Sequence, residues 1–360
     1  MSKFKNILLI AGGTGGHVFP AYSLAKYLKT EKKRVNIITD DRGYKYLKEY
    51  NFNELIIINS NTIFYKNPFK ILYSILQILK AFLNSFYFLY KIKPDIIFGM
   101  GGYLSFPICL SALILRKPIV IYENNILIGK ANKFLSLFAK RIFTSFPYVK
   151  GIGKIDKKKI FHVGNLIREE FLVYNHELAN SKSAKLNILV LGGSQAAKIF
   201  GERLPFIFNE LKKFGEINIT QQCLEKQNDT LTKFYNEKNF KFHLFNFSKD
   251  VLKYFKESDI VITRSGSSIL AELINCNIPF VAIPLPSSTD NHQLENAKYF
   301  EKKGLNFLIE QNEIESKLFS LLKRVLGDKS LLSQMMNKQK KYSDTKVHAN
   351  INRELENIVI

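Results

Sequence analysis

The chain alternates short runs of β-branched and other apolar residues with longer stretches in which apolar positions recur at helical spacing. Short apolar runs that are closed by glycine or polar residues are typical of strands buried in a parallel sheet. Two series of such runs flank the polar stretch 168–185. The first series predicts strands at Ile7–Ala11, Val35–Thr39, Leu55–Ile58, Ile96–Gly99, Ile119–Tyr122, Arg141–Thr144 and Ile160–Val163. The second series predicts strands at Ile188–Leu191, Asn218–Gln221, Phe240–Phe245, Ile260–Thr263, Phe280–Ile283 and Asn306–Ile309.

The order of these elements predicts two similar domains. Each run is followed by a turn and usually by a helical pattern, which is the βαβ order of α/β proteins. Asn6–Thr14 and Asn187–Ser194 also begin alike, with a strand, paired glycines and a hydroxyl residue. Because 360 residues exceed a comfortable single core, we predict an α/β protein of two Rossmann-like domains facing each other across a cleft. Their predicted bounds are 1–164 and 165–342.

Two helical patterns in the first half contain much apolar surface. Phe69–Ile92 has apolar residues at a helical period, interrupted by Lys70, Lys80 and Lys91. Its longest charge-free run is ten residues, whereas a membrane span needs about 20. We therefore predict a core-facing helix rather than a span. Ile126–Phe143 mixes phenylalanine and leucine with basic residues, which suits a helix on an anionic membrane and equally an ordinary surface helix.

Charge is distributed unevenly along the chain. Residues 1–165 hold 26 Lys and Arg against 8 Asp and Glu, a net charge of +18, whereas residues 166–360 hold 27 against 23. A basic half joined to a near-neutral half indicates an anionic partner for the first half, either nucleic acid or anionic lipid. The lysine bias of an AT-rich genome is an alternative, although it would affect both halves. Nucleic-acid binding is disfavoured because the aromatic residues fall mostly in apolar runs.

The cysteines and histidines bear on compartment and metal chemistry. Cys109, Cys223 and Cys276 lie far apart without CxxC spacing, which fits a reducing cytosol. The opening MSKFKNILLI leads directly into a strand, so we predict no secretory signal. The histidines show no HxxH or HExxH spacing, and neither a DxD motif nor a P-loop is present. We predict neither a dedicated metal site nor a cofactor.

Four glycine-rich or serine-rich turns follow predicted strands and precede helical patterns. They are Gly12–Gly16, Gly101–Tyr103, Gly192–Ser194 and Arg264–Ser268. Glycine permits a sharp turn, and the following helix N-terminus offers free N–H donors and a partial positive charge. Four such turns exceed what packing needs, so they indicate ligand binding at the carboxyl ends of the strands.

His17 closes the first of these turns. Beside a helix N-terminus the macrodipole disfavours imidazolium, and a neutral imidazole is suited to taking a proton. Taken alone, His17 could equally cap the loop. The fragment Gly13-x-Gly15-x-x-Val18 and the acid Asp40 also admit a dinucleotide-binding alternative, but the third glycine of that fingerprint is missing.

The motifs around these turns resemble those of the MurG family of bacterial UDP-N-acetylglucosamine transferases. The resemblance covers nearly the whole chain, and its seven motifs occur in order at compatible spacing. They are GGTGGHVFPA at 12–21, GMGGYLSFP at 99–107, ENN at 123–125, GNLIR at 164–168, GGSQ at 192–195, RSGSSILAE at 264–272 and DNHQLENA at 290–297.

The resemblance implies a metal-independent glycosyltransferase of the GT-B type. Such an enzyme transfers GlcNAc from UDP-GlcNAc to the 4-hydroxyl of MurNAc in undecaprenyl-pyrophosphoryl-MurNAc-pentapeptide, with inversion, during peptidoglycan synthesis. It implies a peripheral location on the cytoplasmic face of the bacterial plasma membrane, with anionic phospholipid as a partner of the basic half. A C-terminal helix within 343–360 is implied to return to the first domain.

The resemblance also implies roles for individual residues. The first domain would bind the acceptor, with His17 as general base and with Tyr103 and Glu123 on the acceptor side. The second domain would bind UDP-GlcNAc, with Glu272 on the ribose and Gln293 on the sugar hydroxyls. The full implied donor-binding set is Thr14, Gly15, Gly16, Asn125, Arg168, Ser194, Ser267, Ser268, Ile269, Leu270, Ala271, Glu272 and Gln293.

The chain departs from the family pattern in four places, and none removes a charged or catalytic group. Leu166 and Ile167 replace Pro-Val, so we expect a looser strap before Arg168. Ala196 replaces a glycine and puts a Cβ close to the expected phosphate path. Asn124 replaces a glutamine, and Ser248 replaces a branched apolar residue beside the uracil.

The sequence is also compatible with two other enzymatic activities. Another GT-B enzyme acting on a different membrane lipid, such as a diacylglycerol, has similar loops. A UDP-GlcNAc 2-epimerase shares the two-domain fold, but it would need additional acids and no lipid-facing basic helix.

Overall fold

The computed structural model describes residues 4–50, 52, 54–60, 68–177, 185–193, 197–342 and 346–358. The chain divides into two compact units, one formed by Met1–Arg168 with Asp344–Ile360 and the other by Glu169–Ser343. The first unit therefore includes the whole GNLIR segment. Ser194 and Ala196 lie outside the described residues.

The first unit is a Rossmann-like domain. Its strands are β1 (Asn6–Ile10), β2 (Arg34–Thr39), β3 (Leu55–Ile57), β4 (Ile96–Gly99), β5 (Ile119–Glu123), β6 (Arg141–Thr144) and β7 (Ile160–His162). They pair in parallel in the order β3-β2-β1-β4-β5-β6-β7. The intervening helices are α1 (Gly15–Thr30), α2 (Asp41–Leu47), α3 (Pro68–Ile92), α4 (Ser105–Ile114) and α5 (Lys130–Leu135). The strand order reverses between β1 and β4, where doubly wound sheets bind ligands.

The second unit repeats this arrangement. Its strands are β8 (Lys185–Leu191), β9 (Glu216–Gln222), β10 (Lys241–Phe245), β11 (Ile260–Thr263), β12 (Phe280–Ala282) and β13 (Phe307–Leu308). They pair in parallel in the order β10-β9-β8-β11-β12-β13, with the reversal between β8 and β11. The helices are α6 (Glu169–Leu172), α7 (Lys198–Leu211), α8 (Asn228–Glu237), α9 (Leu252–Glu257), α10 (Ser267–Asn275), α11 (His292–Glu301), α12 (Phe319–Gly327) and α13 (Ser330–Lys340).

The last helix, α14 (Val347–Glu356), belongs to the first unit. Val347, Ile351 and Leu355 recur at helical spacing and are buried in the core formed around β1 and α1. Lys33, whose side chain is almost fully buried, forms an ion pair with Glu356. Burial of an apolar stripe is the main stabilisation of such a short helix.

All thirteen predicted strands are present, and both units have the predicted parallel α/β architecture. The predictions succeeded because strands buried on both faces read as continuous runs of branched apolar residues. Within β1, for example, Ile7, Leu8, Leu9 and Ile10 are all buried.

The prediction of a core-facing helix at Phe69–Ile92 is wrong. The buried face of α3 is built mainly from small residues, Ser74, Ala81 and Ser85, followed by Leu89. The large apolar residues of α3 lie instead on its exposed face: Phe69, Leu72, Tyr73, Ile75, Leu76, Leu79, Leu83, Tyr87 and Tyr90. Periodicity located the helix but could not tell which face the domain covers.

Length and composition also make α3 a candidate for crossing a membrane. Phe69–Ile92 has a mean hydropathy of 1.3 over its most apolar 18-residue window. The lysines that interrupt the apolar run predict no span, and nothing in the structure contradicts that prediction. A core helix of a soluble protein can have the same length and composition, so these properties alone do not assign a span.

The second helical pattern, Ile126–Phe143, is mostly not a helix. Only Lys130–Leu135 forms α5, and Arg141–Thr144 is the sixth strand. Phe134, Leu137 and Phe138 on and after α5 are exposed. Mixed basic and aromatic residues at irregular spacing predicted a longer helix than this segment forms.

Lowering the pH from 7 to 5 is expected to destabilise the second unit through His176. Burial lowers the pKa of His176, and the neighbouring Asp259 only partly opposes this effect. Unfolded histidine has a pKa near 6.5, so the unfolded chain binds the proton first as the pH falls. The stability contributed by neutral His176 is therefore complete above about pH 6.5 and is lost below it, at no more than about 1.4 kcal/mol per pH unit.

Thermal unfolding followed by circular dichroism measures this effect. We expect His176→Gln to flatten the fall in Tm between pH 7 and pH 5, whereas His162→Gln, at the exposed end of β7, leaves the wild-type slope. An unchanged slope in the His176 variant would contradict the assignment.

Candidate functional site

The four predicted glycine-rich or serine-rich turns follow β1, β4, β8 and β11. These strands are the two pairs that flank the reversals of strand order in the two sheets. Ligands of open parallel sheets bind outside the carboxyl ends of the strands at such reversals. Each unit therefore has one candidate ligand-binding region at this place in its own sheet.

His17 is the third residue of α1 and lies against the turn after β4. Its Nδ1 is 2.9 Å from the carbonyl oxygen of Met100. Because a carbonyl oxygen can only accept, this contact places the imidazole proton on Nδ1. Nε2 is then the basic nitrogen, which is the tautomer that a general base needs.

Glycines 101 and 102 let the second turn pass close to the His17 ring. A Cβ added at Gly101 would lie 3.1 Å from Cε1 and 3.2 Å from Nδ1 of His17. A Cβ added at Gly102 would lie 3.6 Å from Cδ2. Both glycines also have a positive φ, +89° at Gly101 and +77° at Gly102. The second turn thus fixes the orientation of the ring.

Asp40, directly after β2, connects the two turns of the first unit. Its Oδ1 accepts hydrogen bonds from the N–H groups of Gly13 and Gly43, both at 2.8 Å. Its Oδ2 accepts from the hydroxyl of Tyr103 at 2.8 Å and from Arg42 at 3.4 Å. Both carboxylate oxygens therefore bind protein donors, so the position of Asp40 does not support the dinucleotide-binding alternative. The sequence alone did not predict this positioning role of Asp40.

Tyr103 lies beside the first turn, because its hydroxyl binds the same carboxylate as the N–H of Gly13. Because its hydroxyl proton is donated to Asp40, the phenol oxygen can offer a substrate only its remaining acceptor capacity. The ring also lies 4.8 Å from the guanidinium carbon of Arg42.

Glu123, the last residue of β5, is almost fully buried and organises the loop that follows. Its Oε1 accepts from the backbone N–H of Asn125 at 3.0 Å, and its Oε2 accepts from Gly129 N–H at 3.0 Å and Asn132 Nδ2 at 2.9 Å. Burial raises the pKa of Glu123, and these hydrogen bonds oppose the rise. The carboxylate thereby orients Asn125, for which the family resemblance implies a donor-binding role.

Asn124 ties this loop to the first turn. Its Nδ2 donates to the carbonyl oxygen of Gly16 at 3.0 Å. The shorter asparagine thus has a defined partner at the position where the family pattern has glutamine.

Arg168 ends the strap 164–168 and is buried. Its guanidinium carbon lies 5.0 Å from the ring centroid of Phe19, on α1. The contacts of the strap argue against the expected loosening, because Leu166 and Ile167 are buried and the N–H of Leu166 donates to the hydroxyl of Tyr122 at 2.8 Å. Proline at this position could not make that bond.

In the second unit, α10 begins directly after the turn that follows β11. Ser267, Ser268, Ile269, Leu270 and Ala271 are its first five residues, and the buried Glu272 is the sixth. The first N–H groups of a helix lack intrahelical acceptors and favour an anionic ligand. Glu272 follows one turn and a half later, on the same helix.

Gln293, on α11, joins two strand ends. Its Oε1 accepts from the N–H groups of Ser265, after β11, and of Leu285, after β12, at 3.2 and 3.0 Å. Because its carbonyl oxygen is engaged, the side chain can offer a sugar hydroxyl its amide N–H groups. Leu285, whose N–H binds Gln293, and Leu294, the residue after Gln293, both line a cavity of about 540 Å³.

Arg264 is a second residue whose role sequence reasoning missed. Its Nη1 donates to the carbonyl oxygens of Ile283 and Pro284 at 3.2 and 3.1 Å, and its Nη2 donates to Gln311 Oε1 at 2.7 Å. Burial lowers its pKa to about 10, so the side chain remains charged near neutrality. The available signal was its position directly after a strand buried on both faces, where a cation needs protein acceptors.

The glycine turn after β8 is connected to the neighbouring strand ends. The N–H of Gly192 donates to Gln222 Oε1 at 3.1 Å, and Gln222 Nε2 donates to the carbonyl oxygen of Asn246 at 3.1 Å. The three strand ends β8, β9 and β10 therefore form one hydrogen-bonded platform.

Two family models match most of the chain, and a named relative is similar to nearly all of it. The glycosyltransferase family 28 N-terminal domain matches residues 7–144, and the glycosyltransferase family 28 C-terminal domain matches residues 187–351. A Pelagibacter ubique protein is 35% identical over 356 residues, which cover 99% of each chain. It is named UDP-N-acetylglucosamine–N-acetylmuramyl-(pentapeptide) pyrophosphoryl-undecaprenol N-acetylglucosamine transferase.

Two solved structures also resemble the chain. MurG from Acinetobacter baumannii has a TM-score of 0.77 at 27% identity, covering 98% of this chain and 100% of its own. A UDP-N-acetylglucosamine 2-epimerase has a TM-score of 0.67 at 15% identity, covering 98% and 95%. The second likeness concerns the fold alone.

Proposed function

The chain belongs to the MurG family of UDP-N-acetylglucosamine transferases, which have the GT-B fold, and from this membership we propose its reaction. It transfers N-acetylglucosamine from UDP-GlcNAc to the 4-hydroxyl of MurNAc in undecaprenyl-pyrophosphoryl-MurNAc-pentapeptide. This step makes the disaccharide unit used for peptidoglycan and thereby serves cell-wall synthesis.

The observation that carries this proposal is the tautomer and placement of His17. Its Nδ1 proton is directed to Met100, and its ring is held between two glycine turns at the carboxyl end of the first sheet. Nε2 takes the proton of the acceptor's 4-hydroxyl as its oxygen attacks the anomeric carbon. A C–O bond forms, the bond from that carbon to the phosphate oxygen breaks, and UDP leaves with the electron pair. Attack opposite the leaving group inverts the anomeric configuration.

Residues of the second unit supply most of the donor recognition in this proposal. The N-terminus of α10 binds the anionic diphosphate, and Glu272 accepts hydrogen bonds from the ribose hydroxyls. Gln293 donates to the sugar hydroxyls through its amide. Arg168 offsets the negative charge that develops on the leaving UDP, while Thr14, Gly15, Gly16, Asn125 and Ser194 complete the set.

Tyr103 and Glu123 serve the acceptor indirectly. The hydroxyl of Tyr103 donates its hydrogen bond to Asp40, which positions the tyrosine so that its ring and its phenol oxygen border the acceptor. Glu123 orders the loop that carries Asn125 and Gly129.

Release of UDP from UDP-GlcNAc, with and without a short-chain lipid-linked MurNAc-pentapeptide, tests the reaction. We expect release that depends on this acceptor. Release with diacylglycerol as the acceptor would assign a different lipid substrate. Interconversion of free UDP-GlcNAc with its 2-epimer would assign the epimerase activity instead.

We also propose that the first unit lies on the cytoplasmic face of the plasma membrane through α3, α4 and α5. Helix α4 packs against both of the others. Their outward side chains include the exposed apolar face of α3, Ile114 at the end of α4, and Phe134, Leu137 and Phe138. An apolar patch of this extent, bordered by exposed lysines, suits an anionic lipid surface. Because α3 follows β3 and precedes β4 of the same sheet, and packs on α4, we place it along the bilayer surface rather than across it.

Replacing Leu72, Leu76 and Leu79 with glutamine is expected to weaken membrane binding. Each side chain is about half exposed and would lose its contact with the acyl region, so we expect the partition coefficient onto phosphatidylglycerol vesicles to fall about tenfold or more. Cosedimentation measures it. Phe206→Gln, an exposed apolar position in the second unit, is the matched control and should leave binding unchanged. Equal loss in both proteins would contradict the proposal.

A further inference from the structure

A buried tyrosine hydroxyl connects the strap 164–168 to the sheet of the first unit. Tyr122, on β5, is 1% exposed. Its phenol oxygen accepts from the N–H of Leu166 at 2.8 Å and from Ser145 Oγ at 2.6 Å, and its hydroxyl donates to the carbonyl oxygen of Gly164 at 3.1 Å. The hydroxyl also lies 3.5 Å from Asn124 Oδ1, so two of its four contacts are with the backbone of the strap.

The strap is also anchored at Ile167, directly before Arg168. The carbonyl oxygen of Ile167 accepts from Ser23 Oγ, on α1, at 2.6 Å. Ser23 Oγ in turn lies 2.8 Å from Nε2 of His348, on α14. The backbone on both sides of Leu166 is thereby fixed, and the next side chain in the chain is the guanidinium that stacks on Phe19.

The residue at position 166 makes the tyrosine hydroxyl necessary. Proline, which the family motif has at this position, carries no N–H, whereas Leu166 brings a backbone donor into a site where its own side chain is fully buried. A buried N–H without a partner is destabilising, so the chain needs an acceptor at this point. Tyr122 provides it.

We propose that Tyr122 is a positioning residue for Arg168, which it holds in place through the Leu166 N–H and the Gly164 carbonyl. This inference rests on the proposed role of Arg168 at the donor diphosphate. Tyr122 itself is buried behind the strap and touches no substrate. It acts on the affinity for UDP-GlcNAc because it fixes the backbone from which the guanidinium extends.

The test is a double-mutant cycle with proline. Isothermal titration calorimetry of the full chain measures the Kd for UDP-GlcNAc, and steady-state kinetics separate KM from kcat. We expect Tyr122→Phe to raise Kd and KM about tenfold, with less change in kcat, because the Leu166 N–H loses its acceptor. Leu166→Pro removes that N–H. We therefore expect the double variant to bind UDP-GlcNAc more tightly than Tyr122→Phe alone, a rescue that general destabilisation would not produce.

Two further variants define the path from Tyr122 to the ligand. Ser145 also donates to the phenol oxygen of Tyr122, but it is not part of the strap. We therefore expect Ser145→Ala to leave Kd within about twofold of wild type. In an Arg168→Ala background, Tyr122→Phe should have no further effect on Kd. A tenfold effect that persists without Arg168, or an absence of rescue by proline, would overturn the proposal.

Calorimetry also separates this inference from the proposed reaction. If UDP-GlcNAc binds with the expected pattern of Kd values and no transfer occurs, the positioning role stands and the reaction fails. If Arg168→Ala binds UDP-GlcNAc as tightly as wild type does, the positioning role of Tyr122 is wrong. The proposed reaction is then still tested by acceptor-dependent release of UDP from the wild-type protein.

Discussion

Replacing His17 with alanine is expected to lower kcat for GlcNAc transfer by about 10²- to 10⁴-fold, the range typical of general-base removal. The KM for UDP-GlcNAc should change little, because the imidazole acts on the acceptor hydroxyl in the transition state. Helix α1 should remain folded, since the side chain of His17 is only partly buried and its Nδ1 contacts the turn after β4 rather than the rest of α1. Steady-state UDP release measures both constants.

His162→Ala is the matched control for this substitution. It removes an imidazole from the exposed end of β7 in the same unit, away from the glycine turns. We expect wild-type kcat for this variant. A His17 variant that kept more than about a tenth of wild-type kcat would contradict the general-base role and favour a loop-capping role for His17.

Gly101→Ala is expected to lower kcat about 10- to 100-fold through displacement of the His17 ring. The new Cβ would lie 3.1 and 3.2 Å from two ring atoms, so the ring must move by a few tenths of an ångström. Small errors in the placement of a reacting group are costly to the rate. The alanine would also be strained at the positive φ of +89°, which lowers the free energy of unfolding by about 1–2 kcal/mol.

Gly153→Ala separates the two effects. Gly153 has a φ of +77°, and a Cβ added there meets no atom within 4 Å. Both variants should therefore lose a similar amount of thermal stability, measured as Tm, whereas only Gly101→Ala should lose kcat. Equal kcat values in the two variants would show that the Gly101 turn does not position His17.

The sequence predicted those features of the fold and site that depend on neighbouring residues. Strands such as β1 and β4 are continuous apolar runs, and the turns after them carry their own glycines. Because the carboxyl ends of parallel strands meet at one edge of a sheet, their order along the chain also indicated where ligands would bind.

Other features depend on residues far apart in the chain. Asp40 and Tyr103 are 63 positions apart, and their hydrogen bond exists only because β2 and β4 flank β1. The tautomer of His17 likewise depends on the carbonyl oxygen of Met100, 83 positions away. The pattern of residues around one position in the sequence does not identify hydrogen-bond partners that are so far away in the chain.

The predicted orientation of α3 was wrong for a different physical reason. Hydrophobic periodicity identifies the apolar face and assigns it to the core, which presumes that water covers the other face. In α3 the face that carries Ser74, Ala81 and Ser85 is the one buried against the protein, whereas the large apolar side chains are exposed. That inversion is what an apolar surface such as a bilayer would require.

In the proposed reaction the chain transfers GlcNAc, with inversion, to the 4-hydroxyl of a lipid-linked MurNAc. Proton NMR of the product made by the full chain from UDP-GlcNAc and a short-chain MurNAc-pentapeptide pyrophosphoryl lipid tests it most directly. We expect a disaccharide in which GlcNAc is joined to the 4-oxygen of MurNAc in the β configuration, opposite to that of the donor. A product with the α configuration, or linkage to any other oxygen, would contradict the proposed reaction.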